Sequence, residues 1–122
     1  MLVVVDDEGV RVVLRCLIEE LGYEVCAAAD AYGALRLLEE VSVDVAFVDI
    51  KMPGHDGIWL IDQLRREHPD VRIVIATGLE ELDPVVTLRP GILGYLVKPF
   101  ESQALMDVLA QVPPPSLQHQ LR

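Results

Sequence analysis

The sequence is short of cysteine, of positive charge and of long hydrophobic runs, and each shortage narrows what the chain can do. Its two cysteines, Cys16 and Cys26, have no C-x-x-C spacing and no further partners, so neither a metal cage nor a disulfide scaffold is suggested. Both sit in apolar stretches and are expected to be reduced core thiols of a cytoplasmic protein. Ten bases against twenty acids give a formal net charge of -10, a field that repels phosphate backbones and anionic lipid. Direct nucleic-acid binding by this chain is therefore not expected, and basic protein surfaces or cations are the favoured company. No apolar run approaches the length of a membrane span, and the N-terminus lacks the basic region of a signal peptide. There is no Gly-rich phosphate loop, which disfavours a nucleotide-binding enzyme.

What is present is a chain of 122 residues, 52% hydrophobic, enough for one domain with a single core. Short apolar runs at Leu2 to Val5, Val25 to Ala29, Val45 to Val48, Ile73 to Ala76 and Tyr95 to Val97 read as strands buried on both faces. Helical spacing connects Val10, Val13, Leu14, Leu17, Ile18 and Leu21, with Gly22 as the stop signal. It recurs in Ala31, Leu35 and Leu38, in Ile58, Ile61 and Leu64, and in Leu105, Val108, Leu109 and Val112. Strands alternating with helices imply right-handed crossovers and a doubly wound parallel sheet, an α/β fold. Pro84 and Pro90 leave room only for a short or irregular helix between the last two strands. The domain is expected over residues 1–112, followed by a proline-rich tail or linker, 113–122.

In a parallel sheet all strands end at one edge, where ligands bind. The first strand is followed by Asp6 and Asp7, the third by Asp49, the fourth by Thr77 and the fifth by Lys98. Any one acid there is explained by a turn or a helix cap, and Asp7 and Glu8 would suit a helix start. Three carboxylates converging on one rim repel each other unless a cation is present. Hard oxygen ligands with room for water suit Mg2+. Lys98 then serves as counter-charge to a phosphoryl group and Thr77 as its hydrogen-bond donor, the parts of a phosphoryl-transfer site.

Four segments carry a resemblance: "LVVVDDE" at Leu2 to Glu8, "VDIKMPGHDG" at Val48 to Gly57, "IATG" at Ile75 to Gly78 and "GYLVKPF" at Gly94 to Phe100. In this order and spacing the sequence resembles the receiver domain of response regulators in two-component signalling. The resemblance implies a flavodoxin-like five-stranded sheet in the order 2-1-3-4-5. It implies that Asp49 accepts a phosphoryl group from a phosphohistidine on a sensor histidine kinase or histidine phosphotransfer protein. Asp7, Asp49 and the Lys51 backbone carbonyl would hold Mg2+, Asp6 would act through a coordinated water, and Lys98 would neutralise the phosphoryl oxygens. Small Gly78 would leave access, and the Lys98-Pro99 bond is cis in many relatives. Phosphorylation would draw Thr77 inward and let Tyr95 rotate, reshaping the surface around the fourth helix and fifth strand. Tyr95 as a half-buried strand residue is the other reading. The domain would be a regulatory acceptor with weak self-phosphorylation and self-dephosphorylation, not a turnover enzyme.

The sequence departs from the family around "GLEELDPVVTLRPGILG", where Pro90 falls in the usual fourth helix. Rules for dimerisation do not carry over, and the oligomeric state stays open. Lys51 either overhangs the phosphoryl group and slows its loss or is a solvated turn residue. Trp59 is expected at the edge of its helix, and His55 in an exposed turn. A phosphorylation-independent interaction module is the alternative. An aspartyl phosphatase would place an acid where Lys51 stands.

Overall fold

β1 (Leu2–Val4), β2 (Cys26–Ala28), β3 (Val45–Asp49), β4 (Arg72–Gly78) and β5 (Ile92–Lys98) form one sheet in the order β2-β1-β3-β4-β5, and every pair is parallel. The computed structural model describes residues 1–50, 57–78, 91–98 and 102–111. α1 (Glu8–Glu20), α2 (Ala31–Glu40), α3 (Gly57–Glu67) and α4 (Ser102–Leu109) connect or follow these strands. The expected irregular helix with Pro84 and Pro90, the turn with Lys51 and His55, Val112 and the 113–122 tail lie outside the described residues.

Alternation along the strands sorts the core into two layers. Leu2, Val4, Ala46, Val48, Ile73 and Ile75 pack with Leu38 of α2 and Leu60, Ile61 and Leu64 of α3. Val3, Val45, Phe47 and Val74 face the other way, onto Leu14 and Ile18 of α1 and Leu105, Val108 and Leu109 of α4. A sheet covered on both faces explains why its central strands read as continuous apolar runs rather than alternating ones. β4 and β5 run past those runs at both ends, because parallel pairing extends the ladder to Gly78↔Lys98 whatever the side chains.

The helix starts follow the local chemistry. Asp7 caps α1 by accepting the Val10 amide at 3.0 Å, and Asp30 caps α2 by accepting the Gly33 amide at 2.7 Å. Gly22, at φ 97°, supplies the left-handed residue that ends α1. Asp30→Ala is expected to destabilise the protein by about 1 kcal/mol, read as a lower urea midpoint with an unchanged slope. At the far end of α3 the Arg65 guanidinium donates to the Pro69 carbonyl at 3.1 Å and to that of Val71. Burial lowers its pKa, and Asp70 opposes that shift.

Two expectations need correction. Both are free thiols, but Cys16 is exposed and so not a core residue, and Cys26 is only half-buried, packed at the margin of the core. Cys16 follows the buried Leu14 by two positions, about 200° around a helix, and Cys26 lies on β2, an edge of the sheet. Val13 was expected on the buried stripe of α1 but is 54% exposed, being about 100° from Leu14.

Candidate phosphoacceptor site

The strand register brings the acidic residues together. Val4 pairs with Val48, so the residues that follow this pair are neighbours: Val5, Asp6 and Asp7 after β1, and Asp49 at the end of β3. β1 and β3 are adjacent at the point where the connections reverse direction across the sheet. That crevice is where an open α/β sheet binds ligands.

The three carboxylates are not equivalent. Asp6 and Asp7 are exposed. Asp49 is 2% exposed, the buried charged residue among those described. Its burial at the end of β3 sets it apart from the two surface acids. Behind it Val45, Ala46, Phe47 and Val48 are fully buried, and β1 and β4 flank it on both sides. β3 therefore cannot shift without disturbing the core.

Arg11, which the sequence reading missed, fixes the opposite side. Its guanidinium donates to the Val5 carbonyl at 2.7 Å and the Asp6 carbonyl at 3.2 Å, tying the first turns of α1 to the loop that carries the acidic pair. The available signal was a single base following three consecutive acids, Asp6 to Glu8.

The other predicted residues reach the same edge through the backbone. Asp49 pairs with Ala76, immediately before Thr77. Thr77 pairs with Val97, and Gly78 with Lys98. Thr77 is thus one position beyond the Asp49 level on the adjacent strand, and Lys98 is on the strand after that. Tyr95 pairs with Ile75, nearer the middle of the sheet. Trp59 is half-buried and packs on Tyr32, with ring centroids 5.6 Å apart at 54°. This pair links the first turns of α2 and α3 and agrees with the expected helix-edge position of Trp59.

The donor chemistry fits a hard divalent cation: carboxylates from two adjacent strand ends, two of them open to water. Among the described residues no three His, Cys, Asp or Glu side chains form a ready-made cage. Mg2+ is served by such an open arrangement, since it keeps several waters and takes only one or two carboxylates. The cap at α1 uses Oδ1 of Asp7, and a carboxylate has a second oxygen to offer.

Comparison with known proteins decides the family. The model described as "Response regulator receiver domain" matches residues 1–110. The chain belongs to that family. The receiver domain is 34% identical over 112 residues to the response regulator protein FleR of Pseudomonas aeruginosa, covering 91% of this chain and 24% of FleR. It is 29% identical over 115 residues to the sporulation initiation phosphotransferase F of Bacillus subtilis, covering 93% of each. The receiver domain thus spans about a quarter of one relative and nearly all of the other. Among solved structures it is similar to the response regulator protein TrrA of Thermotoga maritima in complex with Mg2+-BeF. That similarity has a TM-score of 0.82 at 26% identity, over 92% of this chain and 96% of that one. Among the described residues no helix is long and apolar enough to cross a membrane.

Proposed function

We propose that Asp49 takes up a phosphoryl group from a phosphohistidine of a sensor histidine kinase or a histidine phosphotransfer protein. The observation that carries this reading is the burial of Asp49 at the end of β3, in register beside the acidic end of β1. A carboxylate oxygen of Asp49 attacks phosphorus while the bond from phosphorus to the imidazole nitrogen breaks, leaving an aspartyl phosphate and a free histidine. Catalysis in such a transfer is mostly positioning and charge neutralisation. The rigid β3 supplies the first.

Asp7, Asp49 and the backbone carbonyl of Lys51 would hold Mg2+, with Asp6 acting through a coordinated water. The ion would neutralise charge on the phosphoryl oxygens. Lys98 adds a second positive charge, and Thr77 donates a hydrogen bond from the strand between. Tyr95 follows Thr77 in the switch that alters the surface near β5. TrrA, a relative solved with Mg2+-BeF, supports this assignment of the ion.

The phosphoacceptor unit is residues 1–112, with 113–122 as linker or tail, and it works in the cytoplasm as a regulatory domain without turnover chemistry. The test is incubation with acetyl phosphate, followed by intact-mass measurement with Mg2+ and with chelator. The expected result is a gain of one phosphoryl, stable in acid, labile in base and dependent on Mg2+. Absence of labelling from acetyl phosphate and from candidate kinases would favour the phosphorylation-independent interaction module.

A further inference from the structure

We propose that Gly57 is a positioning residue for Asp49: the lack of a side chain at the first residue of α3 sets where the acceptor's backbone sits. This rests on the phosphoacceptor reading of Asp49. Gly57 is buried, and its amide donates to the Ile50 carbonyl at 2.7 Å, so the start of α3 folds directly back onto the end of β3. A Cβ at Gly57 would overlap the Asp49 carbonyl oxygen and lie 2.8 Å from both the Asp49 carbonyl carbon and the Ile50 Cα. All three are backbone atoms, so no flexible side chain can swing aside. Glycine is used here for close approach of two backbones.

Something must move if a side chain is added, and the surroundings limit what can. α3 cannot withdraw freely, because Leu60, Ile61 and Leu64 are fully buried in the layer beneath it. β3 is held by β1 and β4 on either side. The Asp49-Ile50 peptide lies where the ladder ends: Asp49↔Ala76 is the last pairing of β3 with β4, so no further strand pairing holds the peptide beyond it. Displacing it carries the Asp49 carboxylate with it. A shift of about 1 Å in a reacting group can cost on the order of a hundredfold in rate. Gly94 provides the contrast. A Cβ there would meet Val108 methyl groups at 3.8 and 4.0 Å, ordinary contact distances.

The test compares Gly57→Ala and Gly94→Ala with the unaltered protein in two measurements. One is the rate of phosphoryl uptake from acetyl phosphate. The other is the amide signal of Ile50 in protein labelled at the aspartate carbonyl carbon and the isoleucine nitrogen. Asp49-Ile50 is the sole Asp-Ile pair in the sequence, so this labelling isolates the peptide in question. Gly57→Ala is expected to fold, to displace that signal and to slow uptake at least about tenfold, while Gly94→Ala changes neither. Uptake by Gly57→Ala at the unaltered rate, or an unmoved signal, would overturn the proposal. So would a Gly57→Ala chain that gives no dispersed spectrum, since the contact would then be a condition of folding rather than of acceptor placement. If the unaltered protein takes up no phosphoryl group, the phosphoacceptor reading fails instead. The Ile50 signal still decides whether the contact displaces the peptide.

Discussion

Phe47→Ala is expected to lower the melting temperature by roughly 10–20 °C, the largest stability effect expected of a single truncation among the described residues. Phe47 is fully buried at the centre of β3, in the layer shared with Leu14 and Ile18 of α1 and Leu105 of α4. β3 is also the central strand, so neighbours on both sides must collapse inward to fill the gap. Truncating a buried phenylalanine to alanine costs about 3–5 kcal/mol through lost transfer energy and the cavity left behind. Domains of this size are stable by only about 5–15 kcal/mol. The loss should appear as a lower denaturation midpoint by circular dichroism, with a cooperative transition retained. A change of a few degrees would show that the two layers around β3 do not form the cooperative core described.

Asp49→Asn is expected to do the opposite: leave the fold and abolish function. Asparagine has nearly the same shape as aspartate, so the packing behind it, Val45 to Val48, is undisturbed. It has no carboxylate oxygen to form an acyl phosphate. Uptake from acetyl phosphate should therefore fall at least about a hundredfold, while circular dichroism and cooperative melting remain those of a folded chain. Together the two variants separate the roles of residues two positions apart on one strand. Phe47 is expected to set how stable the sheet is, and Asp49 what its edge can do. Full labelling of Asp49→Asn would place the acceptor elsewhere.

The strands and the carboxylates at their ends were legible because each depends on local pattern and on general rules of parallel sheets, whereas the strand order was implied by the family resemblance. β3 reads as Val45 to Val48 ending at Asp49, and it is so observed, with Asp49 as its last residue. The two-layer core followed from apolar runs too continuous for a sheet exposed on one face. Exposure on α1 was less legible. The pattern marks an apolar stripe but not its width, and Val13 and Cys16 face outward while Leu14 and Ile18 do not. Arg11 and Gly57 were missed for a different reason. Each acts on backbone carbonyls of another element, Arg11 on Val5 and Asp6 and Gly57 on Asp49 and Ile50. Such contacts leave no periodicity in the sequence and become visible only once the loops at the sheet edge are placed.

Residue types at strand ends do not by themselves rank the three acids, and the separate roles expected of them came from the family resemblance. The structure makes one buried and two exposed, with one of the exposed pair already engaged as the cap of α1. That division suits distinct roles, a fixed nucleophile flanked by hydrated carboxylates, better than three equivalent ligands.

The most direct measurement is the location of the phosphoryl group itself. The protein, labelled with acetyl phosphate and Mg2+, is treated with a hydride reducing agent that converts the acyl phosphate to a stable alcohol, then digested and mapped by mass spectrometry. The account predicts one modified residue, Asp49. Modification at Asp6 or Asp7, spread over several carboxylates, or found nowhere after exposure to acetyl phosphate and candidate kinases would contradict it.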